Sequence, residues 1–479
     1  MRRVERTGKA GIEIESTIRC GSAFWRSNYC KQMQDEDTHG KKRTWLRRAF
    51  WLIALGVILV AVVGLFWLRG ALYNHYVGFP REEVAWQALR AQLQHVPNQT
   101  GWNEYRGILH SHSKLSHDSE VPFEEILGVL KTAKLDFICL SDHPNEGRAD
   151  FSLQWRGIHD GKLFVPGFEM RNGVMPFGVA SGVVLSNQTD SAILARQIGE
   201  NGGLLFYSHP EEPRDWDRPE LMGMEIYNIH VDFKRRNPGI GRMVPDLLVN
   251  QSRYPDHVFR TVFVRPVEFL CRWDELNLKR HITGIAANDC HQNVGVRAIY
   301  TAADTIRIED TSPKTLKEFK LNWFTRPLAH WLLGPLTPNR KLFHVQLDPY
   351  ERSARFVNTH VLAHALAEPA IMDSLRAGRV FVGFDMIADS SGFQWFAADG
   401  TNQVVMGEAV AFTPATRLGA RSPLPCRFTI LKDGSTVCQQ EGRALDWTPS
   451  GPGKYRVEAE LKVLDKWVPW VYANPIELR

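Results

Sequence analysis

Between about residues 102 and 300 the apolar positions come in short uninterrupted runs, each closed by polar or turn residues. The runs are Gly107-Ile108-Leu109-His110-Ser111-His112, Phe137-Ile138-Cys139-Leu140-Ser141-Asp142-His143, Phe164-Val165-Pro166-Gly167-Phe168-Glu169, Leu204-Leu205-Phe206-Tyr207-Ser208-His209 and Gly284-Ile285-Ala286-Ala287-Asn288-Asp289-Cys290-His291. A run of this kind predicts a buried strand, because a parallel strand covered on both faces keeps no alternating polar side. Elsewhere the period changes. Phe123, Ile126, Leu127 and Leu130 fall at i, i+3, i+4 and i+7 and predict a helix over Pro122 to Lys134. Buried strands with such helices point to an α/β barrel, whose chemistry sits at the C-terminal strand ends.

The flanks read differently. Ala49 through Leu68 carry no charge and are almost wholly apolar. Twenty residues at about 1.5 Å each span roughly 30 Å, the thickness of a bilayer's hydrocarbon core, so a transmembrane helix is expected over 49–68. The stretch is longer than the apolar core of a signal peptide and ends on Arg69 without a small-residue cleavage pattern. Trp86, Leu89 and Leu93 then space a linker helix within 72–101. Residues 301–390 complete or decorate the barrel, with a helix and a strand expected over Asp373 to Val382. Leu321 to Leu336 sets Trp323, Phe324, Trp331, Leu332 and Leu333 among Arg326 and His330, with Pro327 and Pro335 to shorten any helix. A packed insertion is the first expectation there, and a helix lying on a membrane the second. From 391 to 479 short apolar stretches alternate with turns such as Asp433-Gly434 and Gly451-Pro452-Gly453, which predicts an antiparallel β-sandwich.

A chain of 479 residues is too long for one core. The formal charge of +5 is unevenly placed. Residues 1–48 hold 12 Lys and Arg against 6 Asp and Glu, which leaves 46 against 47 for the rest. The basic excess therefore belongs to the leader, expected to be a disordered tail. An extended nucleic acid is disfavoured as substrate, since the catalytic part has no basic footprint. Lys41, Lys42, Arg43, Arg47 and Arg48 precede the apolar span, whereas Arg69 and Arg81 are the sparse positives after it. That asymmetry places the N-terminus in the cytoplasm and the catalytic part in the periplasm or outside the cell, as a single-pass membrane protein. Of the seven Cys, Cys426 and Cys438 flank the Asp433-Gly434 turn but are not clearly opposite each other. Cys290 reads as a packing residue.

The runs end on side chains that bind metals: His110, His112, Asp118, His143, Glu169, His209, Asp289 and His291. Histidine and carboxylate without cysteine suit Zn, Mn or Fe. In this order, with His-x-His followed by Asp118, then Asp142-His143, Gly167-Phe168-Glu169, Ser208-His209-Pro210 and Asp289-Cys290-His291, the chain resembles the PHP (polymerase and histidinol phosphatase) family of metal-dependent hydrolases over about 102–300. The ending Pro469 to Ile476 resembles the C-terminal β-domain of membrane-associated members.

The resemblance implies a distorted seven-stranded (β/α) barrel and hydrolysis, usually of phosphoesters, by a hydroxide shared between metals. It implies that His110, His112, Glu169 and Asp289 hold one ion and that Asp118, His143 and His291 hold a second. It also implies a further His between Glu169 and His209 in members with three ions. None stands there, so two ions, or a third held loosely, are expected.

His117 competes with Asp118, and the acidic type favours Asp118. Asp142 is expected to orient a ligand imidazole, His209 to be a ligand or a general acid, Asn228 to touch substrate or cap, and Arg171 to bind a phosphate or make a salt bridge. His159, His257, His281, His360 and His364 read as ordinary core or surface histidines. A phosphoesterase is expected first. An amide, carbamate or ester hydrolase of the same fold comes second, and a membrane-tethered ligand-binding protein without turnover third.

Overall fold

The structure is a computed structural model and describes residues 19–235, 240–310, 315–346, 348–400 and 402–479. It divides into two compact units, residues 1–70 and Ala71–Arg479. In the first, the backbone is helical from Arg19, in a helix that ends at Tyr73. The expected disordered tail lies outside the described residues up to 18, and from Arg19 onward helix replaces it. Proline is absent from Arg19–Tyr73, so nothing in the sequence forces a stop ahead of the apolar span. That span is long and apolar enough to cross a membrane, with a mean hydropathy of 2.8 in its most apolar window and none of that window buried.

The second unit is built on seven short strands: β1 (Asn103–Ser111), β2 (Phe137–Cys139), β3 (Lys162–Val165), β4 (Val174–Phe177), β5 (Leu204–Tyr207), β6 (Leu221–Asn228) and β7 (Thr283–Cys290). In the order β3–β2–β1–β7–β6–β5 every pairing is parallel. β4 runs antiparallel beside β5. A single antiparallel bridge from Gly167 to Phe177 joins the end of β3 to β4 and brings the two edges together. Gly167 is required there: a Cβ would meet the carbonyl oxygens of Leu140 at 2.3 Å and Pro176 at 2.7 Å.

The uninterrupted apolar runs follow from burial on both faces. Leu109, Phe137, Cys139, Val165, Phe206 and Ile285 share one cluster. Their neighbours Ile108, Ile138, Leu140 and Phe164 pack instead with the helix Phe123–Thr132 through Phe123, Ile126 and Leu130. Removing such a fully buried side chain costs about 2–5 kcal/mol, and Ile138 is one.

Past β7 the chain makes a separate sheet of β8 (Gly295–Tyr300), β9 (Thr305–Asp310), β10 (Thr315–Lys320) and β11 (Lys341–Gln346), in the order β10–β9–β8–β11. The strand Asn358–Ala363 then returns antiparallel to the first half of β1. Val380–Gly383 pairs with that strand and with Lys466–Ala473. The antiparallel strands after residue 391 are thereby hydrogen-bonded onto the barrel's own sheet. Their core is also continuous with the barrel's: Trp395 and Trp470 share a cluster with Ile226 and Trp273. Cys426 faces Gly442 and Cys438 faces Ile430 in the long hairpin, so the register keeps the two thiols apart.

Candidate metal centre

The C-terminal ends of the parallel strands meet at one cleft of about 470 Å³. The backbone there is bent out of strand geometry. His110, His209 and Asp289 all have positive φ, at 60°, 49° and 46°. Such conformations are costly for non-glycine residues and are kept where the surroundings enforce them. The β1–β7 ladder slips between Leu109 and Ser111. This bulge, rather than plain alternation, aims His110 and His112 at the same point.

Two groupings are resolved around Glu169 and Asp289. His110 Nε2 lies 3.3 Å from Glu169 Oε2 and 3.2 Å from Asp289 Oδ1. His112 Nε2 is 3.7 and 3.4 Å from the same two atoms. Beside them, Asp118 Oδ2 is 3.3 Å from His143 Nε2 and 3.1 Å from His291 Nε2. Glu169 Oε2 is also 3.7 Å from His143 Nε2, which places that oxygen between the groupings. His209 Nε2 approaches the other oxygens, Glu169 Oε1 at 3.1 Å and Asp289 Oδ2 at 3.6 Å. All eight expected ligands thus converge, and His117 only lines the cleft wall.

The other nitrogen of each ring also has a partner. His110 Nδ1 bonds Glu225 Oε1. His112 Nδ1–H meets Ser116 Oγ at 3.1 Å, and that hydroxyl donates to Asp118 Oδ1 at 2.7 Å. His143 Nδ1 faces the Glu169 carbonyl at 3.4 Å, His209 Nδ1 faces Glu211 Oε1 at 3.2 Å, and His291 Nδ1 faces the Asp289 carbonyl at 2.9 Å. Partners on Nδ1 fix the tautomer that leaves Nε2 free to accept a cation. At the centre, His110 Nε2, His112 Nε2 and Asp289 Oδ1 are buried without a hydrogen-bond partner. Unpaired buried nitrogens and oxygens facing each other are costly in a protein without ions. This donor set therefore fits divalent cations, and four overlapping His and carboxylate groups here are close enough to hold them.

The electrostatics follow from this crowding. Burial depresses the His110 pKa, but Asp289, Glu169 and Glu225 override it and raise it well above the ordinary value. Burial likewise opposes protonation of His209 and His291. Hydrogen bonds to Glu169 and Glu211 lift His209 to about 11, and Asp289 with Asp118 lifts His291 to about 9. His112 goes the other way, to about 3, through burial and then the charge of His291. Burial works against ionisation of Glu169 and Asp289, yet the imidazoles hold both carboxyls well below the usual range.

One expectation changes. Asp142 does not orient an imidazole. It accepts from the Ser113 amide at 2.5 Å, the Ser113 hydroxyl at 3.0 Å and Gln154 Nε2 at 2.7 Å, and so braces the loop after His112. Burial raises its pKa. The acids that do meet a ring's Nδ1 are Glu211, on His209, and Glu225, on His110; Glu225 is fully buried on β6 and also accepts from the His209 amide at 2.9 Å. Asn228 is a cap: its Oδ1 accepts from His230 N at 2.8 Å and Val231 N at 3.2 Å. Arg171 lines the cleft, as does Arg214, whose Nε donates to the Ser208 carbonyl at 3.0 Å.

His230 joins the cluster as well, without having been among the expected ligands. Its Nδ1 is 4.0 Å from Asp289 Oδ2, and it groups with Asp289 and His291. The signal was present, since His230 stands just past another apolar run, the one ending at Asn228.

No family model matches this sequence, and no curated protein matches it. Among solved structures it is similar to a two-domain protein from Bacteroides vulgatus ATCC 8482 described as containing a predicted PHP-like metal-dependent phosphoesterase. The identity is 13%, the match covers 81% of this chain and 98% of that one, and the TM-score is 0.35. The His and carboxylate groups of this chain's motifs lie together in positions suited to metal ions.

Proposed function

We propose that the protein is a metal-dependent hydrolase of phosphoesters. The observation that carries this is the set of five imidazoles whose Nδ1 atoms have partners and whose Nε2 atoms converge on Asp118, Glu169 and Asp289. His110, His112, Glu169 and Asp289 would hold one ion, and Asp118, His143 and His291 a second, with Glu169 between them. Bound there, divalent ions would supply Lewis acidity and lower the pKa of water toward neutrality.

The chain's own groups then divide the remaining work. Arg171 and Arg214 line the cleft and suit the non-bridging oxygens of a phosphoester. His209 stands at the edge of the cluster with its proton favoured by Glu169 and Glu211, placed to protonate a leaving group or to hold a weak third ion. Glu225 and Asp142 position the ligands. The apolar span would tether this unit to a membrane, with the N-terminus cytoplasmic.

A panel of p-nitrophenyl phosphate, its diester and acyl esters, with Mn, Zn or chelator, tests the reading. Metal-dependent phosphoester cleavage that exceeds acyl cleavage is expected. Preference for the acyl substrates would move the assignment to carbon electrophiles. No turnover with metal bound would leave a ligand-binding protein. Topology is tested by alkaline-phosphatase fusions after residue 75, where a cytoplasmic report would reverse the orientation.

A further inference from the structure

The insertion after β7 carries a surface that its fold does not use. The helix Thr325–Leu333 rests on the β8–β11 sheet through Ala329 and Leu333, which pack with Ala298, Tyr300 and Ile306. A surface helix packed on one face normally shows a polar face to water. Here Phe324, Leu328, Trp331 and Leu332 fall at i, i+4, i+7 and i+8 on the outward side, all exposed, Trp331 at 78%. Trp323, just ahead of them, is 87% exposed. The sheet face under the helix continues the pattern beyond its ends. Phe319 pairs with Ile306, Phe343 with Ala298 and Val345 with Val296, so they share the helix-bearing face, and all three stay more than a third exposed. Clustered exposed apolar side chains on this scale mark an interaction site.

The occupant is indicated by charge and residue type. Residues 315–346 hold Lys317, Lys320, Arg326, Arg340 and Lys341 against a single acid, Glu318, within a chain that is close to neutral from residue 49 onward. Tryptophan with a basic fringe is the composition that seats at the headgroup level of a bilayer carrying anionic lipid. The chain also enters this unit directly from the apolar span. A covalent tether of that kind raises the effective concentration of a surface that binds weakly by itself.

We propose that the Trp323–Leu332 face is a membrane-docking surface that inserts its aromatic side chains into an anionic bilayer. This rests on the anchor reading for the tether only, and not on the hydrolase reading.

The test uses the unit Ala71–Arg479, which closes its own core and lacks the span. It is sedimented with vesicles of phosphatidylcholine alone or with about one-third phosphatidylglycerol, a proportion that gives a negative surface. Binding to the anionic vesicles is expected. Trp323→Ser with Trp331→Ser should weaken it by about tenfold or more, since both apolar anchors are lost. Lys317→Glu with Lys341→Glu should abolish the preference for anionic lipid. Both variants should keep the wild-type melting temperature and metal content. Three results would overturn the proposal: wild-type protein that does not pellet with the anionic vesicles, pelleting that the Trp variant leaves unchanged, or self-association without vesicles that Trp331→Ser breaks. The last would make a second copy the occupant.

Discussion

The strand-end cluster and His360 both bury histidine among carboxylates, and they are built for opposite ends. At the candidate metal centre each clustered ring has a partner on Nδ1 and presents Nε2 inward, with His110 Nε2 and His112 Nε2 unpaired. At His360, also fully buried, both nitrogens are satisfied: Nδ1 by Glu104 Oε1 at 2.6 Å, and Nε2 by Asp385 Oδ2 at 2.9 Å. Burial opposes the charge of His360, but Asp385 and Glu104 lift its pKa to about 9. A raised pKa therefore marks both places and distinguishes neither. The difference lies in the hydrogen-bond ledger. His360 is a closed ion triad joining β1, the strand Asn358–Ala363 and the loop at Asp385. The strand-end cluster is an open donor set whose facing nitrogens and oxygens suit a cation.

The largest expected effect breaks the open set. His110→Ala or Asp289→Ala should remove both bound metal and hydrolysis, measured by elemental analysis beside kcat. Retained metal with full activity would show that these side chains are not ligands. The closed triad should answer differently. His360→Ala leaves Glu104 and Asp385 without their partner and should destabilise by about 3–5 kcal/mol, read by denaturant unfolding, with metal content unchanged in the folded protein.

A smaller effect is expected from Glu225→Gln, which keeps the shape but weakens the orienting bond to His110. Metal affinity should fall by about 10–100-fold, measured by chelator competition. His209→Ala should leave two ions bound and lower turnover. Loss of one ion per chain instead would make His209 an obligatory ligand and overturn the two-ion count.

The pH responses sharpen the comparison further. In metal-free protein at pH 7, His209 (about 11) and His291 (about 9) hold protons. The proton on His291 must be lost to free Nε2, so metal binding should release a proton and tighten as pH rises. Calorimetry in buffers of differing ionisation heat measures the release, which should shrink above pH 9 as His291 deprotonates unaided. His360 has a pKa raised from the unfolded value of about 6.5. Its contribution to stability is fully present below that value and is lost as pH rises through about 9. In metal-loaded protein that loss should remain, and it should be absent from His360→Ala.

Much of the site was legible because parallel strands buried on both faces read as apolar runs, and the residue closing each run is where a barrel places its chemistry. His110, His112, His143, Glu169, His209, Asp289 and His291 all stand at such ends. Asp118 follows from the resemblance, which implies an acidic ligand after His-x-His. Glu225 was hidden because it lies inside a run, where a charged residue is recognisable as a brace only once its ring partner on β1 is known. Asp142 was misjudged for the complementary reason: adjacent to His143 in sequence, it turns to Ser113 and Gln154 in space.

The sequence by itself determined the apolar span, the strand-and-helix texture of the barrel, the antiparallel texture of the C-terminal strands and the inventory of candidate ligands, since each is written in local periodicity, residue type or motif. Only the tertiary structure decided which nitrogen of each imidazole faces the centre and that His230 stands beside Asp289. It alone showed that the C-terminal strands pair with the barrel's sheet, and that the helix at 325–333 turns Trp331 outward beside the exposed Trp323. Those outcomes depend on bulges, positive-φ residues and pairings between segments up to hundreds of residues apart, which no local pattern encodes.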